Sequence, residues 1–305
     1  MKIKLGKVSL DSPVIPASGV FGYGDELKGL VDYKKIGAIV TKTLTIKERK
    51  GNPQPRTWEL ENGLLNTIGL QNIGVERFCK EKMPIIKRLK KPVIVSIGGE
   101  TDDEILSCVE YVSKKEIDGI ELNLSCPNIA CQQIISENPE ATYNVIKQAR
   151  KITDRLLVAK LSPNVTDAGE TGRAAEEAGA DALCAFNTFK GLAFDRKNQK
   201  IILGGISGNA IFPLSSRLVY HLYQNVSIPI IGVGGIHSPE TGLLMILCGA
   251  TIIGIGTALV LNPGLPGEIL DEIKKYKKEK NIKKWEEIVG FLNDRKRKNK
   301  LLPGI

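Results

Sequence analysis

Histidine is nearly absent: of 305 residues, only His221 and His237 carry an imidazole. A histidine-rich metal centre or a double-histidine proton relay is therefore excluded, and proton transfer falls to other groups. The cysteines at 79, 108, 126, 131, 184 and 248 form no CxxC pair and no metal-ligand spacing, so neither a zinc ribbon nor an iron–sulfur cluster is expected on this chain. Residues 1–12 contain no apolar signal core, and with no CxxC pair this leads us to expect a reducing, cytoplasmic compartment. Aromatics make up 5% of the chain, but 42% hydrophobic, 25% charged, 31 Gly and 15 Pro describe an ordinary globular protein with enough apolar residues for a large core.

The net charge of +9 is concentrated rather than general. Residues 268–300 hold 12 Lys and Arg against 7 Asp and Glu, more than half of the excess. Both signs alternate there, with Ile269, Ile273, Tyr276, Trp285, Ile288, Val289 and Leu292 at helical spacing. A basic helical segment over about 268–300 with a solvated face is expected, in preference to a nucleic-acid patch.

One long uncharged run, GLLMILCGATIIGIGTALVL at 242–261, has the length of a membrane span. Gly249-Ala250 divides it into a helix-like half and a β-branched half. Strands buried on both faces of a parallel sheet read as continuous apolar runs, so a buried strand is the preferred reading and no membrane is expected.

Eight such β-rich runs recur: 13–19, 38–43, 92–99, 119–126, 156–163, 182–188, 229–235 and 251–258. Helix signals stand between them. Thr101 to Lys114 opens with a cap and an acidic first turn, Asn138 to Lys151 has Pro139 at its first position, and Ala168 to Ala180 ends at Gly179. Strand and helix signals alternating eight times predict an α/β fold, a (β/α)8 TIM barrel of parallel strands. The connections Leu44 to Lys91 and Lys190 to Ser227 exceed simple crossovers and predict inserted loops at the C-terminal face of one domain spanning 1–305.

Active sites of such barrels lie at the C-terminal strand ends. Those positions are Ser18, Lys42, Thr43, Ser96, Asn123, Ser125, Cys126, Lys160, Asn187, Thr188, Gly234, Gly235, Gly256 and Thr257. Glycines on the last two loops suit a phosphate, because backbone N–H groups reach an anion where no side chain intervenes. The spacing at Gly232–Gly235 does not open a Rossmann fingerprint. Lys42 and Lys160 close apolar strands, where an ammonium faces an anion or an electron-rich ring, forms a Schiff base, or snorkels to the rim. Asn66, Asn123, Asn128 and Asn187 together suit a planar ligand that alternates carbonyl and N–H groups, though each alone reads as a turn residue. Cys126 adds a thiol able to transfer a proton.

These residues lie in motifs that resemble the class 1 dihydroorotate dehydrogenases over about residues 3–265: TKT (41–43), GNPQPR (51–56), NGLLNTIGLQNIG (62–74), ELNLSCPN (121–128), KLSPNVTD (160–167), FNT (186–188), GISG (205–208), IPIIGVGGI (228–236) and GIGTA (254–258). The resemblance implies oxidation of dihydroorotate to orotate in pyrimidine biosynthesis. It implies FMN held by Ser18, Lys42, Thr43, Ser96, Asn123, Lys160, Phe186, Gly208, Gly234, Gly235, Gly256 and Thr257. It implies substrate held by Lys42, Asn66, Thr67, Ile68, Gly69, Leu70, Asn123, Asn128, Asn187 and Thr188. Cys126 would be the base, with Lys42 and Lys160 as the charged catalytic groups.

The stretch LLNTIGLQNIG is most similar to class 1B, which implies a homodimer core and a partner subunit that carries FAD and an iron–sulfur cluster and delivers electrons to NAD. The fumarate-linked class 1A, a dihydropyrimidine dehydrogenase-like reductase and, more remotely, a Schiff-base aldolase or lyase are the alternatives. Three departures stand out. IACQQII at 129–135 replaces a glycine-rich basic piece, Ser96 stands where the family usually has Asn, and the stretch before Gly204 is about four residues short.

Overall fold

The computed structural model describes residues 2–26, 28–125 and 134–293. A short antiparallel hairpin opens the chain, β1 (Ile3–Leu5) against β2 (Val8–Leu10), with its alternate residues Ile3, Leu5 and Leu10 buried. A Cβ on its turn residue Gly6 would touch Leu156 and Asp181, which places the hairpin at the N-terminal end of the barrel described next, away from the strand ends that carry the polar residues.

Eight parallel strands follow, one in each of the runs read from the sequence: β3 (Val14–Pro16), β4 (Ile39–Val40), β7 (Val93–Ile97), β8 (Gly119–Asn123), β9 (Leu156–Lys160), β10 (Ala182–Ala185), β13 (Ile230–Val233) and β14 (Ile252–Ile255). Their order is β3-β14-β13-β10-β9-β8-β7-β4, parallel throughout. The Gly37 N–H, just before β4, donates to the Val14 carbonyl of β3 at 2.8 Å and brings the two ends of the sheet together. Every residue of these strands is buried, because the sheet interior covers one face and helices cover the other.

The capping residues named from sequence act as caps. Thr101 Oγ1 accepts the Glu104 N–H at the start of helix Asp102–Ser113, and Asn138 Oδ1 accepts the Ala141 N–H at the start of helix Pro139–Ile152. Helix Ala168–Glu177 stops before Gly179, which takes φ +100°. The uncharged run resolves into helix Pro239–Cys248, a turn at Gly249, strand β14 and the short helix Thr257–Leu261. Among the described residues, no helix is long and apolar enough to cross a membrane.

The C-terminal segment departs from the sequence expectation. Helix spans Leu265–Glu279 rather than the whole of 268–300, and turns with one short 3-10 segment occupy the described residues beyond it. Asn281 adopts a left-handed φ of +51°, which an α-helix cannot propagate through. Trp285 and Ile288 are buried all the same, because the turns fold back against the barrel, where the Trp285 indole donates to the Thr251 carbonyl at 3.2 Å.

The two long connections are not separate loops. The first holds a hairpin, β5 (Thr57–Leu60) and β6 (Gly63–Asn66), and the second holds another, β11 (Phe189–Asp195) and β12 (Lys200–Ser207). β12 pairs with β6, Gly205 opposite Asn66, so both insertions form one antiparallel sheet in the order β11-β12-β6-β5. The alternation in FKGLAFD and KIILGGIS is the period of a sheet with one face outward. That face presents Leu192, Phe194, Ile201 and Leu203, each more than half exposed.

Candidate active site

Lys160 ends β9 and lies opposite Asn123 of β8 on one side and Cys184 of β10 on the other. Its side chain is 5% exposed, and its ammonium donates to Ser18 Oγ, just past β3, at 2.7 Å. One of three N–H donors is thereby used by the described residues. A buried ammonium with donors to spare suits an anionic or electron-rich partner.

Asn123 is the hub of a buried polar network. Its Nδ2 donates to Thr43 Oγ1 at 3.0 Å, and its Oδ1 accepts the Ser125 hydroxyl at 2.9 Å. Ser125 in turn accepts from Asn187 Nδ2 at 2.6 Å, and Asn187 Oδ1 accepts the Thr188 N–H at 2.8 Å. The strand ends thus bring together Thr43, Asn123, Asn187 and Thr188. Ser125 directly precedes Cys126, but Cys126 and Asn128 lie outside the described residues. Ser96 is fully buried, its hydroxyl shared between Thr43 Oγ1 at 3.0 Å and Glu121 Oε1 at 2.8 Å.

Lys42 is half-buried two residues past β4. Burial, reinforced by the Arg56 guanidinium, pulls its amine below the usual lysine range, with Glu26 opposing. The inserted sheet contributes Asn66, whose Nδ2 donates to the Gly205 carbonyl at 3.1 Å. Thr67, Ile68, Gly69 and Leu70 follow it, with Gly69 and Leu70 at φ +70° and +53°. Asn52 holds this stretch, accepting nothing from it but donating from Nδ2 to the Thr67 carbonyl at 2.9 Å, while its own N–H reaches the Ile68 carbonyl at 3.1 Å. Arg56 ties the loop further, donating to the carbonyls of Lys50 and Asn52 and to Gln71 Oε1.

The glycine loops lie where the sequence placed them. Gly234 and Gly235 take φ +126° and +72°; a Cβ would strike Ser215 at the first and the Phe212 backbone at the second. Ser215 Oγ is buried without a hydrogen-bond partner among the described residues. A Cβ at Gly256 would meet nothing within 4 Å. Thr257 Oγ1 donates to Ser207 Oγ at 2.9 Å, one residue before Gly208, so the last barrel loop is joined to the inserted sheet. Phe186 is 1% exposed and lies in the core, its N–H bonded to the Val233 carbonyl.

Spare donors on Lys160, an orphaned hydroxyl beside Gly234 and open space at Gly256 are what an FMN ring and phosphate require, and these residues fit that group. Sequence reasoning passed over Glu121, Ser215 and the loop-fixing part of Arg56. Glu121 had a readable signal, a charge inside an otherwise apolar strand run. Ser215 had none, because its position beside Gly234 arises from packing between helix Phe212–Tyr223 and β13.

Comparison with known proteins agrees with this geometry. The family model "Dihydroorotate dehydrogenase" matches residues 1–276. A protein of Carboxydothermus hydrogenoformans named dihydroorotate dehydrogenase B (NAD(+)), catalytic subunit, is 42% identical over 301 residues, covering 95% of this chain and 97% of that one. Proteins of the same name from Geotalea uraniireducens and Geobacter metallireducens are 41% and 40% identical over 298 residues, each covering 96% of this chain and 98% of the relative. With motifs, barrel and mouth in agreement, the chain belongs to the dihydroorotate dehydrogenase family and groups there with the class 1B catalytic subunits.

Proposed function

We propose that this chain is the catalytic subunit of an NAD-linked dihydroorotate dehydrogenase, a cytoplasmic enzyme of pyrimidine biosynthesis whose 305 residues act as one barrel domain. The observation that carries this reading is the network of Thr43, Asn123, Ser125 and Asn187 at the strand ends, with Lys160 opposite Asn123 and bonded to Ser18. FMN, when bound, supplies the hydride acceptor that oxidation of a C–C single bond needs.

The chain's own residues do the remaining work. Gly208, Gly234, Gly235, Gly256 and Thr257 cradle the phosphate. Lys160 and Ser18, with Thr43, Ser96 and Asn123, set the charge and hydrogen bonding around the ring, and Phe186 packs behind. Asn66, Thr67, Ile68, Gly69, Leu70, Asn123, Asn128, Asn187 and Thr188 hold the substrate by its amide edges, and Lys42 meets its carboxylate. Cys126 takes the proton from the substrate carbon, since a free thiol titrates near ~8.5 and is a far better base at neutral pH than a serine hydroxyl.

Electrons leave through a partner subunit that carries FAD and an iron–sulfur cluster, around a homodimer core. The relatives' name, a catalytic subunit, supports a multi-subunit enzyme, and the outward apolar face of β11 and β12 gives a second chain something to cover.

The test is single-turnover reduction of the flavin-loaded chain by dihydroorotate. Cys126→Ser is expected to keep the flavin spectrum and orotate binding, to lose about 10²-fold in reduction rate at neutral pH and to recover partly as pH rises. A wild-type chain that carries no flavin, or equal rates for wild type and Cys126→Ser, would overturn the assignment. Dihydroorotate turnover with fumarate by the chain alone would favour the class 1A reading.

A further inference from the structure

Glu121 is the one charged residue within the fully buried barrel strands that the proposed chemistry leaves unused. It is 3% exposed, in the middle of β8. Its Oε1 accepts the Ser96 hydroxyl at 2.8 Å. Burial and this same carboxylate, which accepts its thiol hydrogen, push Cys184 well above the ordinary thiol range, with Lys160 opposing. Cys184 therefore keeps its thiol hydrogen and can give it to the Glu121 carboxylate.

The direction of the network follows from counting hydrogens. A carboxylate only accepts, and a hydroxyl has a single hydrogen to give. Ser96 spends its hydrogen on Glu121, so in the 3.0 Å contact between Thr43 and Ser96 the donor is Thr43. Thr43 then has only lone pairs left for Asn123, whose Nδ2 faces it at 3.0 Å. Asn123 Oδ1 therefore points the other way, where it accepts from Ser125, and Ser125 accepts from Asn187. Five bonds run in one sense from the mouth to a single buried acceptor. With a neutral group in place of Glu121, Ser96 and Thr43 can reverse and the Asn123 amide can turn over, exchanging a donor for an acceptor at equal shape.

We propose that Glu121 is a positioning residue: the fixed acceptor at the inner end of the Ser96–Thr43–Asn123–Ser125–Asn187 chain, which sets the donor and acceptor faces that Thr43, Asn123 and Asn187 present at the mouth. This rests on the reading that those three residues face flavin and substrate. Thr43 is left with lone pairs only, Asn123 keeps one amide hydrogen to give, and a ring with alternating carbonyl and N–H groups is recognised in one orientation. Ser96, where the resemblance leads one to expect Asn, is the link that passes this polarity on.

The experiment uses the flavin-loaded chain and three variants: Glu121→Gln, Ser96→Ala and both together. Each is checked for flavin content and melting temperature, and orotate affinity is read from the flavin difference spectrum. Each single change is expected to weaken orotate binding about 10-fold, and the double change by no more than either single one, because a chain cut once cannot be cut again. Unchanged orotate affinity in either folded single variant overturns the proposal. So does a double variant about 100-fold weaker than wild type, since independent effects multiply.

Should Glu121→Gln fail to fold, Ser96→Ala alone decides. A second readout needs no ligand: the side-chain amide resonances of Asn123 in the nuclear magnetic resonance spectrum of the chain itself. They are expected to move in Ser96→Ala and in Glu121→Gln, and their constancy overturns the proposal. A wild-type chain that holds flavin but shows no orotate response would instead break the substrate reading, while the Asn123 resonances still decide on Glu121.

Discussion

Gly235→Ala separates a glycine that serves the fold from one that serves the phosphate cradle, and Gly179→Ala is its internal control. Both positions take left-handed φ, +72° and +100°. An L-residue pays about 1–2 kcal/mol for that conformation, offset by about 0.4–1 kcal/mol through a less flexible unfolded chain, a net cost of about 1 kcal/mol. At Gly179 little is added, because the nearest atom to a new Cβ is the flexible Arg150 Cγ at 3.2 Å. At Gly235 the Cβ runs into the backbone of Phe212, at the start of helix Phe212–Tyr223. Rigid backbone must shift, and overpacking of that kind costs a further ~1–3 kcal/mol.

With an unfolding entropy of roughly 2.1 cal/mol/K per residue, 1 kcal/mol moves the melting temperature of a chain this long by about 1.5 °C. The flavin-free Gly179→Ala chain should therefore melt about 1–2 °C below wild type and Gly235→Ala about 3–6 °C below. The decisive assay is FMN titration at a temperature where both variants are fully folded. Gly179→Ala should bind as wild type does, and Gly235→Ala should bind at least about 10-fold more weakly, because displaced loop N–H groups no longer converge on the phosphate. Equal melting temperatures with equal FMN affinities would refute both the steric account and the cradle.

Two further predictions concern the lysines. Lys42 has a lowered pKa, so it is charged below that value and loses its charge as pH rises through it, beneath the ordinary 10.5; orotate affinity should fall in that window, and Arg56→Gln should move the midpoint of the fall upward by removing a cause of the lowering. A titration of orotate affinity against pH checks it, and a midpoint that stays or moves down contradicts it. Lys160→Gln keeps a donor near Ser18 but removes the cation; the midpoint potential of bound flavin should drop by about 30–60 mV, equal to about 1.4–2.8 kcal/mol for two electrons, and an unchanged potential in spectroelectrochemistry would remove Lys160 from the flavin's surroundings.

The barrel itself was legible in the sequence because each level of its construction is local. An apolar run of strand length, a cap such as Thr101 or Asn138 and a stop such as Gly179 act over a few residues, and all eight runs contain a barrel strand. That Thr43, Asn123 and Asn187 meet was legible too, since the C-terminal ends of all parallel strands in a barrel open at one face. What the tertiary structure decided depends on residues far apart in the chain. The 44–91 and 190–227 connections carry turn residues that read as loops, yet β6 and β12 complete each other's hydrogen bonds across 139 residues, as between Asn66 and Gly205. The helical pattern past Glu279 was overridden at Asn281, where burial of Trp285 and Ile288 is met by folded-back turns instead. Glu121 reads as one charge in an apolar strand; only the assembled sheet, which sets Ser96 of the neighbouring strand against it and Thr43 against Ser96, makes that charge the end of a directed chain, because hydrogen-bond polarity belongs to the network and to no single residue in it.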